Sequence, residues 1–61
     1  MELTEVKSRL NTVVKYKGKE YYFTGCTIRK NQTTNETFYQ AELADIHARS
    51  VMITKLSDVN V

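Results

Sequence analysis

Three side chains in this 61-residue chain have the types that nucleophilic chemistry uses: the thiol of Cys26, the imidazole of His47 and the carboxylate of Asp45. Their sequence surroundings argue against that use. Cys26 falls in an alternating apolar–polar run, at an inward position, where a free cysteine behaves as a small hydrophobe. His47 lies in a polar connection, nothing brings it to Cys26, and it reads as a solvated loop histidine. Glu42 and Asp45 read as the solvated end of a strand rather than an acid/base pair. Gly18 and Gly25 are the only glycines, and neither opens a helix as a phosphate-cradling loop would. No cysteine and histidine spacing suits a structural zinc. So short a chain also has little room for a cleft. The expectation is a protein that is not an enzyme, with no cofactor, no metal and no small-molecule substrate.

Surface recognition is the chemistry that remains. In Thr12–Asn31 (TVVKYKGKEYYFTGCTIRKN) apolar and polar residues alternate with the period of a half-buried strand. With Val14 and Tyr16 inward, Lys15 and Lys17 point outward, joined there by Tyr22 and Arg29. Phe38 is outward on a later strand, opposite the inward Tyr39. Lys15, Lys17, Tyr22, Arg29 and Phe38 form the candidate binding surface, a basic patch with aromatic platforms. Cations that meet phosphates and rings that stack on bases suit nucleic acid. Exposed tyrosine and phenylalanine suit a protein partner equally well.

Positioning those side chains requires a particular set of elements. Leu3, Val6, Leu10 and Val13 recur at helical spacing, which predicts a short helix over 3–11 with Thr4 as its N-cap. A helix of about two turns does not persist alone, so it must lie on the sheet or plug one end of it. Strands are expected over Val13–Lys17 and Tyr21–Lys30, reversed at Gly18, which adopts positive φ cheaply. A regular second strand would leave Tyr21 and Phe23 in water. A bulge at Thr24–Gly25 instead brings Tyr21, Phe23, Cys26 and Ile28 inward and bends the strand. Asn31–Glu36 (NQTTNE) has no apolar residue and reads as a hairpin loop, its two Asn-x-Thr sequons included. Phe38–Ala44 follows with Tyr39, Ala41 and Leu43 inward, then a short connection over 45–49. Ser50–Thr54 is the next strand with Val51 and Ile53 inward. Leu56–Val59 reads as one helical turn or a last short strand. The expected core unites Tyr21, Phe23, Ile28, Leu43, Val51 and Ile53.

Composition bounds the partners. A chain this short buries only about 60% of the surface its unfolded form exposes. A lone cysteine offers no internal disulfide. Stability must therefore come from a well-closed barrel or from self-association. No apolar run reaches the roughly 20 residues of a membrane span, and MELTEVKSRL lacks the apolar core of a secretory signal, so a cytoplasmic protein is expected. Net charge is +2, unevenly spread: seven cations face three carboxylates in residues 1–31, and two face four in residues 32–61. Such polarity steers an anionic partner to one side or orients self-assembly.

Four strands, two tight hairpins and a closing turn over about Val13–Val59 resemble small barrels of the Src-homology-three type, Tudor-like domains included. The likeness lies in hydrophobic rhythm and turn placement. The signatures of ribosomal and transcription-factor members are absent, as is the aromatic cage of methyl-lysine readers. The fold class this implies is mainly β: a short N-terminal helix and a strongly bent antiparallel sheet of four to five strands, in one domain over 1–61. Functionally, the expectation is a small protein–protein interaction or regulatory module of bacterial or phage type. Nucleic-acid binding through the basic and aromatic outer face is the alternative.

Overall fold

In the computed structural model, which describes residues 1–47 and 49–61, the chain is mainly β. A 3₁₀ turn, Leu3–Glu5, runs into a one-turn helix α1, Val6–Arg9. Strands β1 (Val13–Tyr16), β2 (Lys19–Lys30), β3 (Thr37–Asp45) and β4 (Val51–Lys55) follow, then a second 3₁₀ turn, Leu56–Asp58. The strands pair antiparallel in chain order and curl into a half-barrel. Ala48, in the connection expected over 45–49, lies outside the described residues.

The turns use positive φ, which Gly18 and Asn35 adopt readily and Lys17 less so. Lys17 and Gly18 occupy the two-residue β1–β2 loop with φ of 50° and 76°, as a hairpin turn matched to strand twist requires. In the β2–β3 loop, Asn35 takes φ of 61°. There the Asn31 side-chain oxygen accepts from the N–H groups of Thr33 and Thr34, replacing a backbone turn with an Asn side chain.

The irregularity in β2 sets the curl. Phe23 pairs with Leu43 and Gly25 with Glu42, so Thr24 is an extra residue on its strand. Tyr21 and Phe23 thereby face the concave side before the bulge, and Cys26 and Ile28 face it after. Thr24 turns its hydroxyl out to the Glu42 carboxylate, 2.8 Å away. Phe23, Leu43, Ala41, Val14, Leu56 and Val59 fill the concavity, with Met1, Val6, Tyr16, Tyr21, Cys26, Tyr39 and Met52 packed around them.

Several expectations need correction. Val51 and Ile53 are 59% and 54% exposed on the convex side, not in the core. The register pairs Leu43 with Met52 and Ala41 with Thr54. Alternation carried on from Met52 and Thr54 then delivers Leu56 inward, where it is buried. Burying Leu56 and half-burying Met52 fixes the phase that leaves the two β-branched residues outside. Ile28 does face the concave side beside Tyr39, but it is 67% exposed because no described residue covers that end of the hairpin.

The N-terminal segment begins at Leu3 as expected, but only Val6–Arg9 is α-helical. Glu2, not Thr4, caps the first turn, and its N–H donates to the Glu5 carboxylate at 3.0 Å. Of the predicted apolar helix face, only Val6 packs against the core; Leu3, Leu10 and Val13 stay largely exposed. The Met1 ammonium donates to the carbonyls of Leu56 and Val59, which ties this segment to one end of the half-barrel.

Candidate binding surface

The convex face of the sheet carries a row of side chains that the pairing makes continuous across all four strands. Val13 stands opposite Tyr22, Tyr22 opposite Ala44, and Ala44 opposite Val51. Ile53 extends the row along β4 beside Glu42. Val13 and Tyr22 are 45% and 42% exposed, and with Val51 and Ile53 they make an apolar band across the sheet. At about 4.8 Å between neighbouring strands, the band is roughly 14 Å wide from β1 to β4. It is bounded on one side by the facing pair Lys15 and Glu20, and on the other by Glu42 with Thr24 bonded to it.

The five side chains expected to form one patch divide into three groups. Lys15 and Tyr22 share the convex face at the β1 end. Arg29 and Phe38 are direct cross-strand partners on the same face, at the far end of the β2–β3 ribbon. Phe38 lies six residues from Ala44 along β3, about 20 Å from the Tyr22 row at strand rise. Lys17 belongs to neither group. The positive φ of its turn position turns it toward the concave side, where its ammonium sits 5.4 Å from the centre of the Tyr16 ring. The far group gains a residue not anticipated: Lys55 pairs with Gln40, one row along from Phe38 on the convex face. Its position follows from the β4 phase, which the Met52–Thr54–Leu56 alternation carries.

A second cluster rims the mouth near the β1–β2 turn. Tyr16 and Tyr21 meet edge to face with ring centres 6.4 Å apart. The Lys19 ammonium lies 5.6 Å from the Tyr21 ring and 3.1 Å from an Asp45 carboxylate oxygen. Hydrogen bonding to Asp45, aided by its charge, raises the Lys19 pKa above its ordinary value. The other Asp45 oxygen accepts the His47 N–H at 2.8 Å and shapes the connection to β4. Asp45 therefore holds local structure on both sides.

Cys26 sits on the concave side opposite Ala41, partly buried, and desolvation raises its pKa. Ala41 is four residues, about 13 Å of strand, from Asp45, which separates the thiol from the histidine connection. Among the described residues, no three His, Cys, Asp or Glu side chains group as metal ligands, and no helix is long and apolar enough to cross a membrane. One open hollow of about 410 Å³ lies where the N-terminal segment meets the ribbon, lined by Met1, Leu3, Phe38, Tyr39, Lys55 and Leu56 among others. No known protein family, curated protein or solved structure matches this chain.

Proposed function

We propose that this chain is a non-enzymatic binding module, regulatory in role, whose convex sheet face engages a protein partner. The observation that carries this reading is the band Val13–Tyr22–Ala44–Val51, with Ile53 beside it, left open to water on a small domain. Contiguous exposed apolar surface of this kind marks interaction sites, and a tyrosine at its centre is a frequent energetic anchor. The charges nearest the band support the choice: Lys15 faces Glu20, and Lys19 is taken by Asp45, which leaves little unopposed cation for phosphates.

Nucleic acid is the second reading, and it rests on a different place. Arg29 beside Phe38, with Lys55 one row along, combines cations and an exposed ring at the far end of the ribbon. Salt separates the two. A pull-down from native lysate, with and without nuclease, is repeated across a salt series. The protein reading predicts a bound protein that survives nuclease and high salt and is lost with Tyr22→Ala, at a cost of about 1–3 kcal/mol of binding. Retention of nucleic acid alone would overturn it. In that case log affinity falls by about 0.7 per contacted phosphate for each decade of salt, and Phe38→Ala is the damaging variant.

A further inference from the structure

The two edges of the half-barrel are finished differently, and the difference points to a partner. On the β1 edge, Lys15 exchanges both backbone hydrogen bonds with Asn60, at 2.7 and 2.8 Å, so the C-terminal segment blocks it. On β4 the Asp45 N–H donates to the Ser50 carbonyl at 2.9 Å, which makes Asp45 and Ser50 a hydrogen-bonded pair. In an antiparallel ladder such pairs alternate with non-bonded ones. Met52 and Thr54 therefore turn their backbone groups toward β3, and Val51, Ile53 and Lys55 turn theirs away from it. Among the described residues, no hydrogen bond reaches these outward groups. The strand carrying them, VMITK, is β-prone and holds a single charge.

We infer that β4 pairs antiparallel with β4 of a second copy of this chain, about a two-fold axis at Ile53, to form one continuous sheet. The strand is complementary to itself in this register. Ile53 faces its own copy, and Val51 faces Lys55 of the second copy, each pairing exchanging both N–H···O bonds. The lone lysine thus lies against an apolar side chain and not against its twin. Arg49 is brought toward the turn that holds Asp58 of the second copy, so opposite charges meet at each end. The register one step shorter would set Lys55 against Arg49 of the second copy, and like charges directly opposite disfavour it. This pairing uses the strand edge and leaves Tyr22 uncovered, so it stands or falls independently of a protein partner on the convex band.

Sedimentation of the full chain across a concentration series tests the pairing. The expected result is a mass that rises from 7.1 kDa toward twice that value. Ile53→Pro removes one outward N–H and no bond to β3, a substitution that edge strands accept, and should shift the midpoint at least tenfold upward in concentration. Ile53→Lys, which sets two ammonium groups face to face, should do the same whether or not the proline variant folds. Amide hydrogen exchange supplies a reading specific to the edge. Val51, Ile53 and Lys55 should gain protection as concentration rises, while Met52 and Thr54 are protected throughout. A chain that stays monomeric with those three amides exchanging freely at every concentration overturns the inference. So does a dimer that Tyr22→Ser dissolves and both Ile53 variants leave intact, because its contact lies on the convex band.

Discussion

Phe23 and Ile28 occupy the same side of the same strand, yet Phe23 is fully enclosed and Ile28 is 67% exposed. The bulge at Thr24 gives both the same orientation; what stands across from them differs. Around Phe23 the ribbon is flanked by β1 and β4, and Val14, Leu43, Leu56 and Val59 close over it. By Ile28 both flanking strands have ended: β1 pairs no further than Tyr22, and β4 stops at the Gln40–Lys55 pair. Alternation decides which way a side chain points, and tertiary coverage decides whether pointing inward means burial. The near half of the ribbon is therefore core, and the far half is a two-sided surface.

Truncation should expose that contrast most strongly. Phe23→Ala removes the largest enclosed side chain and should cost about 3–5 kcal/mol, enough to unfold so small a domain by circular dichroism at room temperature. Ile28→Ala should cost less than about 1 kcal/mol in the same urea titration, since most of its surface already meets water. Equal losses at the two positions would mean that the far half is covered after all.

The turn that starts the ribbon gives an intermediate effect. Gly18→Ala places a Cβ at φ of 76° and should cost roughly 1–2 kcal/mol. Space is not the obstacle, because among the described residues no atom lies within 4 Å of the added carbon. Lys17→Asn, better suited to its φ of 50°, should raise the urea midpoint slightly. A neutral Gly18→Ala would contradict the left-handed turn.

Alkali should weaken the fold through Cys26 and Lys19 of the near half. Burial holds the Cys26 thiol above its ordinary value of 9.0, and Asp45 holds the Lys19 ammonium above 10.5. In both cases the folded chain binds the proton more tightly than the unfolded one. The associated stability is complete below those ordinary values and is lost as pH rises through them and through the higher folded-state values. Urea midpoints should thus fall from about pH 9 upward, and Cys26→Ala should remove the earlier part of the decline. A wild-type midpoint that holds steady through this range would sink the assignment.

The hairpins and the bulge are legible in the sequence because each depends on local chemistry: Gly18 at a reversal, NQTTNE without an apolar residue, and Tyr21 and Phe23, which only an extra residue at Thr24 turns to the same side as Cys26 and Ile28. The inner side of β3 followed from Ala41 and Leu43 in the same way. The phase of β4 was not legible within the strand, because Val51 and Ile53 outweigh Met52 and Thr54 in β-propensity and hydrophobicity. It is fixed by Leu56, which lies beyond the strand and is buried. The candidate surface divided for a related reason. Tyr22, Arg29 and Phe38 share one face of the sheet, but a shared face does not imply proximity along a ribbon this long. Lys17 left the group because turn dihedrals do not continue strand alternation.

Ile53 lies in the convex band, on the surface and not in the core. In Ile53→Lys, urea unfolding at a protein concentration too low for strand pairing should lie within about 0.5 kcal/mol of wild type, with an unchanged slope. A loss approaching that of Phe23→Ala would put Ile53 inside, reverse the phase of β4, and remove both the binding band and the pairing edge.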